Sequence, residues 1–225
     1  MHRTSPLLRV LTFLLTATLL ACGKSESPSP TGPGGGSSQA TPVVVFLGDS
    51  LTAGFGLPAA EGYPSLLLQR ATAAGYPHRF VNAGITGDTT ADGLRRFDAA
   101  VISDTRVLVL ALGANDGLQG VPVATVKRNL TDIIERAQRR GIRVMLAGME
   151  APPTRGLQYS VDFHFIYPDL ASQFSLTLMP FMLAGIFGDP ALNLSDGFHP
   201  NAAGMRVLAS SMWPYLEPLL QATSQ

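Results

Sequence analysis

Residues Val43-Val44-Val45-Phe46-Leu47-Gly48-Asp49-Ser50-Leu51 form an apolar run that stops abruptly at a Gly-Asp-Ser turn. A short, uninterrupted apolar segment rich in β-branched residues and bounded by a turn is the pattern of a strand buried on both faces. Strands of that kind belong to parallel sheets, whose crossover helices cover both sides. Open α/β sheets bind their ligands outside the carboxyl ends of the strands. Ser50 falls at such an end, which makes it the candidate nucleophile against which the rest of the chain is read.

Downstream of this run, strand and helix signals alternate. Helical spacing over Glu61–Ala74 closes at Gly75, and a short strand, Arg79–Asn82, leads into the turn-rich segment Ala83–Asp88. A helix is predicted over Thr90–Ile102, then a second buried strand over Val107–Leu112 that ends in Gly113-Ala114-Asn115-Asp116. Pro122 opens a helix with an apolar stripe at Val126, Leu130, Ile133, Ile134 and Ala137 that closes at Gly141. Arg143–Ala147 reads as a strand, Ser160–Phe174 as a helix, Leu176–Met179 as a short strand and Asn201–Leu220 as a final helix. Regular β/α alternation argues for one three-layer α/β/α sandwich around a mainly parallel, five-stranded, flavodoxin-like sheet, spanning residues 42–225.

The first 41 residues read differently. Arg3 and Arg9 precede an 11-residue apolar run, Val10–Leu20, too short to cross a membrane as a helix but suited to an export signal. The run ends in Leu19-Leu20-Ala21-Cys22, which resembles a bacterial lipobox, and Cys22 is the sole cysteine of the chain. In that signal, residues 1–21 are removed and the cysteine carries a diacylglyceryl group, so Cys22 is the candidate lipidation site. Gly23, rather than Asp, at the next position implies the outer membrane, with the domain facing the periplasm. Residues 23–41 are Gly, Ser, Pro and Thr with almost nothing apolar. Such a segment cannot bury a core and is expected to act as a tether with an r.m.s. reach of about 25 Å.

Composition removes several function classes. Sixteen basic residues balance sixteen acidic ones without clustering, so no nucleic-acid footprint is expected. One cysteine allows no intramolecular disulfide. There is no His/Asp/Glu cluster at ligand spacing and no phosphate-cradling glycine loop, so neither a metal nor any other cofactor is expected.

Three loops at predicted strand ends carry polar residues: Asp49-Ser50, Gly87-Asp88 and Asn115-Asp116. A fourth, Ser195-Asp196-Gly197-Phe198-His199-Pro200, places an acid and an imidazole three residues apart in a turn. A serine hydroxyl is a weak nucleophile that needs an adjacent base, and histidine, with an ordinary pKa of about 6.5, serves near neutral pH. An acid at that spacing can orient it. A developing oxyanion needs pre-set donors, which a side-chain amide and backbone N–H groups can supply.

With these residues the chain resembles the SGNH (GDSL) hydrolase family from about Val43 to Leu220. Gly48-Asp49-Ser50-Leu51 is similar to the serine block, and Asn82-Ala83-Gly84-Ile85-Thr86-Gly87-Asp88-Thr89 to the glycine block. Gly113-Ala114-Asn115-Asp116 is similar to the GxND block, and Asp196-Gly197-Phe198-His199-Pro200 to the DxxHP block. The flanking residues look like the bacterial branch with acyl-CoA thioesterase, arylesterase and lysophospholipase activities. The resemblance implies a nucleophile at Ser50, a base at His199 and its orienter at Asp196. It implies an oxyanion hole of the Ser50 and Gly87 N–H groups and the Asn115 amide, with Gly84 as the rival of Gly87. Gly87 is preferred because it directly precedes the Asp-Thr pair. The substrate implied is a small carboxylic ester, thioester or lipid, and the enzyme is expected to be a monomer.

Three departures from the branch stand out. Ala114 replaces a common glycine, Thr154-Arg155 replaces Asn-Tyr in a loop expected beside the substrate, and Phe198 replaces Ile, expected as a packing change. Asp49, Asp88 and Asp116 are read as loop-fixing residues, His78 and His164 as histidines without a paired acid, and Trp213 as core. Two other readings remain open: a carbohydrate O-deacetylase of the same fold, and a tethered acyl-binding lipoprotein that does not turn over.

Overall fold

The computed structural model describes residues 40–224. The export signal, Cys22 and all of the tether except Ala40 and Thr41 therefore lie outside the described residues. Five strands, β1 (Val43–Gly48), β2 (Arg79–Gly84), β3 (Thr105–Ala111), β4 (Arg143–Ala147) and β5 (Thr177–Met179), form one sheet in the order β2-β1-β3-β4-β5. Every pairing is parallel. All six residues of β1 are buried, as are all but Arg106 in β3, in keeping with continuous apolar runs at the sheet centre. Edge strand β2 has no buried residue.

Among the described residues, seven helices lie between the strands and one follows the last: α1 (Ser50–Ala53), α2 (Tyr63–Ala73), α3 (Thr90–Arg95), α4 (Phe97–Ala100), α5 (Ala114–Gln119), α6 (Val123–Arg139), α7 (Leu157–Phe174) and finally α8 (Ala202–Gln221). Helix α2 packs with α8, while α3, α6 and α7 pack in series, giving the two outer layers. The stripe read from the sequence of α6 is its buried face: Val126, Leu130, Ile133, Ile134 and Ala137 are fully buried. Trp213, Met205 and Met212 on α8 are core residues. Among the described residues, no helix is long and apolar enough to cross a membrane.

The strand order reverses between β1 and β3, where the chain leaves β1 for one edge and later returns to build toward the other. That reversal is the topological switch point at which open α/β sheets bind ligands. It lies between the ends that carry Asp49-Ser50 and Asn115-Asp116.

The helices differ from the sequence expectation in three ways. The helix predicted over Thr90–Ile102 is two short helices broken at Arg96, whose side chain turns inward to bond the Gly48 carbonyl and Asp88. The helix predicted from Ser160 begins at Leu157, straight after the short helical turn Pro153–Arg155. Helices α1 and α5, of four and six residues, are too short to show an amphipathic period.

Candidate active site

Strand β1 delivers Asp49 and Ser50 to the sheet edge. Asp49 is the N-cap of α1 and accepts the Leu51 N–H at 3.0 Å, so capping a helix and presenting Ser50 are one arrangement. Helix α1 lasts one turn and ends at Gly54 in the left-handed conformation. Thr52 on its inner face bonds the fully buried Tyr63 hydroxyl at 2.8 Å.

The loop before α8 brings the acid and the imidazole to this serine. Asp196 Oδ1 accepts the Phe198 and His199 backbone N–H groups at 2.9 and 3.0 Å, folding the loop on itself. Its Oδ2 lies 2.7 Å from His199 Nδ1, and His199 Nε2 lies 2.9 Å from Ser50 Oγ. The His199 and Phe198 backbone N–H groups, and then the imidazole, hold the Asp196 carboxyl down at about 2, so it is ionised at neutral pH. An ionised carboxylate at Nδ1 favours the tautomer protonated there and leaves the Nε2 lone pair facing the serine hydroxyl. Such a chain can draw the proton from Oγ as the oxygen attacks an electrophile.

Asn115 reaches the same edge from β3, at the start of α5. Its amide donates to the Asp88 carbonyl at 2.9 Å, while its approach to Asp49 Oδ2 is a long 3.5 Å. One amide hydrogen is thus committed and the other only weakly held. Gly113 makes room for this placement: its φ is 123°, and a Cβ there would come 2.1 Å from the buried Tyr167 hydroxyl. That hydroxyl donates to the Leu112 carbonyl at 3.0 Å and pins the end of β3.

The two candidate glycines separate cleanly. The Gly84 N–H donates to Asn82 Oδ1 at 2.9 Å, and a Cβ at Gly84 would come 2.3 Å from the Ala53 nitrogen. Gly84 is therefore a close-approach residue that lets β2 lie against α1. Gly87 is exposed with φ 88°, and its N–H has no protein acceptor among the described residues; neither does the Ser50 N–H.

The remaining acids fix the loops, as their positions suggested. Asp88 pairs with Arg96 at 2.5 Å in a largely buried contact, and Arg96 also donates to the Gly48 carbonyl at 2.9 Å, tying the Gly87 loop to β1. Asp116 accepts both the N–H and the hydroxyl of Thr90, at 2.8 and 2.6 Å, and Asn129 donates to that hydroxyl at 3.0 Å. Among the described residues no group of three or more His, Cys, Asp or Glu side chains is placed to hold a metal ion.

Sequence reasoning missed several site residues. Arg96 sits inside a predicted helix with no motif around it. Phe55 lies with its ring centroid 4.5 Å from that of His199. Phe198, expected to be a packing substitution, is 49% exposed and instead meets the exposed Phe187 with centroids 5.8 Å apart. His164, which has no acid at a suggestive spacing in the sequence, pairs with Glu150 at 2.7 Å. The pairing arises because the end of β4 and α7 meet in the fold, 14 residues apart in sequence. Arg155 donates to the Leu118 carbonyl and thereby joins the Pro153–Arg155 turn to the helix that carries Asn115.

Burial gives Asp49 an unusual titration. Its carboxyl is fully buried, and desolvation pushes it up to about 7 against the opposing pull of the Leu51 N–H and the His199 imidazole. A folded-state value above the unfolded one means that its contribution to stability is full below about pH 4 and is lost as pH rises through about 7. Asp49→Asn keeps the shape without that titration. Its stability relative to wild type is expected to grow between pH 4 and 7 by on the order of a few kcal/mol, at about 1.36 kcal/mol per unit. Urea denaturation across that range checks this, and a difference that stays flat with pH contradicts it.

Comparisons with known proteins agree with this geometry. The profile of the family described as "GDSL-like Lipase/Acylhydrolase family" matches residues 46–207. The chain is 38% identical over 182 residues to the esterase TesA of Pseudomonas aeruginosa, covering 80% of this chain and 90% of that one. It is 32% identical over 188 residues to thioesterase 1/protease 1/lysophospholipase L1 of Escherichia coli, covering 83% and 89%. A crystal structure of TesA superposes with a TM-score of 0.75 at 37% identity, covering 79% of this chain and 99% of that one. The chain belongs to the GDSL-like lipase/acylhydrolase family and is a serine hydrolase of the SGNH fold.

Proposed function

We propose that the chain is a membrane-tethered esterase that hydrolyses carboxylic esters of lipids and aryl alcohols through an acyl-enzyme on Ser50. The observation that carries this reading is the continuous chain Asp196–His199–Ser50, at 2.7 and 2.9 Å. His199 takes the Ser50 proton as Oγ adds to the ester carbonyl. The Ser50 and Gly87 N–H groups and the Asn115 amide receive the oxyanion; the uncommitted Gly87 N–H and the Gly84 N–H already bonded to Asn82 support that choice of glycine. His199 then protonates the leaving alcohol, and water repeats the sequence to free the acid.

The substrate class follows from surroundings and location. Phe187 and Phe198 put apolar surface on the exposed side of the His199 loop, which suits an acyl chain better than a sugar. The relatives named esterase and thioesterase/lysophospholipase support esters and lysophospholipids. A lipid on Cys22 would hold the enzyme, as a monomer, to the outer membrane facing the periplasm, where acyl-CoA is scarce. Lysophospholipids and aryl esters are then the natural class, ahead of acyl-CoA.

A substrate panel tests this. Medium-chain aryl esters and lysophospholipids are expected to turn over faster than acetylated sugars, and Ser50→Ala is expected to lose all of it. Preferential release of acetate from sugars would favour the deacetylase reading, and tight acyl binding without turnover would favour a binding lipoprotein. In the source cell, Cys22→Ser is expected to move the protein from the membrane to the soluble fraction; an unchanged distribution would remove the lipid anchor from the account.

A further inference from the structure

The Gly54-Phe55-Gly56 turn stands against the imidazole of His199, and nothing in the reaction described above uses it. Gly54 and Gly56 both have left-handed φ values, 77° and 76°, which L side chains rarely adopt. They bracket a phenylalanine that remains 43% exposed, an arrangement with an evident steric demand and little burial in return. The turn is anchored to the nucleophile's own backbone: the Gly54 and Phe55 N–H groups both donate to the Ser50 carbonyl, at 3.1 and 3.0 Å. Its other side rests on the loop that carries Asp196 and His199, close enough that a Cβ at Gly56 would come 2.8 Å from Leu194 Cδ1.

We propose that Phe55 is a positioning residue that holds the His199 ring in line with Ser50; this rests on the reading of Ser50 and His199 as nucleophile and base. Imidazole nitrogens donate and accept along directions in the ring plane, and both nitrogens of His199 are engaged, at 2.7 and 2.9 Å. Those bonds fix the line between the two nitrogens but resist rocking about that line only weakly. A ring against one face, 4.5 Å away and tilted by 35°, opposes that rocking. Because the ring hangs from the turn that follows Ser50, it sets His199 relative to the serine rather than to the sheet at large. Two carboxyl groups act on the imidazole, Asp196 on its own loop and Asp49 from the end of β1. Neither limits motion of the ring face.

Misplacement of a reacting group by a fraction of an ångström to an ångström costs up to about a hundred-fold in rate. Phe55→Ala is therefore expected to lower kcat about ten-fold, equally for short and medium acyl chains sharing one leaving group, with KM little changed. The rate of inactivation by a small fluorophosphonate is expected to fall by the same factor. Phe55→Tyr, which keeps the flat face, is expected to restore both. If Phe55→Ala fails to fold, Phe55→Leu takes its place and is expected to lose kcat in the same acyl-independent way. An effect confined to KM and growing with acyl length would make Phe55 a substrate contact and overturn the proposal, as would an unchanged kcat. The outcomes for the two levels are distinct. A wild-type enzyme inert to the fluorophosphonate would remove the nucleophile reading itself, whereas a reactive wild type matched by Phe55→Ala would remove only the role of Phe55.

Discussion

His199→Ala is expected to lower kcat by about a million-fold while leaving the fold intact. The figure follows from serine hydrolases in which the base and the nucleophile act as one unit, so that removing either costs about as much as removing both. Here the imidazole bridges groups that approach it from opposite ends of the domain sequence, Ser50 on one nitrogen and Asp196 on the other. Among the described residues no other histidine replaces it: His78 is buried against Thr223, and His164 is paired with Glu150. The double variant lacking both Ser50 and His199 should consequently be no slower than either single variant. The fold should tolerate the change, because the loop is held by Asp196 bonds to backbone N–H groups that alanine keeps. Steady-state kinetics on an aryl ester, with thermal melting as a control, measure this. A loss smaller than about a hundred-fold with the fold preserved would mean that another group removes the serine proton.

Asn115→Ala carries the second-largest effect. Removing one donor to an oxyanion costs about 2.7–4 kcal/mol, or 10²–10³ in kcat. The loss should fall on kcat, because the negative charge it answers exists only after Oγ has added. Asn115 has a second duty in its 2.9 Å bond to the Asp88 carbonyl, which helps place the Gly87 loop. Part of the loss could then come through Gly87. Asp88→Asn separates the two effects: it weakens the ion pair to Arg96 while leaving both the Asp88 carbonyl and the Asn115 amide in place. It should cost far less than Asn115→Ala. Equal losses would assign the effect to loop placement rather than to the amide. A large rise in KM for Asn115→Ala with kcat preserved would contradict an oxyanion role altogether.

The parts of this molecule that were legible in its sequence are those whose physics is local. Buried strands at the sheet centre announce themselves as apolar runs because both faces are covered, and β1 and β3 were read within two residues of their ends. The amphipathic stripe of α6 was equally plain. Three of the four polar blocks stood out because each follows a strand, and a parallel sheet brings strand ends to one edge; the fourth stood out by its acid and imidazole three residues apart in the loop before α8. What could not be read depends on contacts between segments far apart in the chain. Arg96 stands at the break in a good helical pattern, and its guanidinium meets the Gly48 carbonyl and the Asp88 carboxylate, partners that arrive only with the tertiary fold. The choice between Gly84 and Gly87 became physical only when Asn82 was seen to take the Gly84 N–H. Phe55, Phe187 and Phe198 carry no motif, and His164 meets Glu150 only where β4 and α7 come together.

The central claim is that Ser50 is the group acylated during turnover. Trapping the purified protein with a fluorophosphonate and locating the adduct by peptide mass spectrometry tests it most directly. The account predicts one adduct, on Ser50, formed in proportion to loss of esterase activity and absent in Ser50→Ala. It also predicts much slower labelling in His199→Ala. Labelling at another residue, or complete loss of activity with Ser50 unmodified, would contradict it.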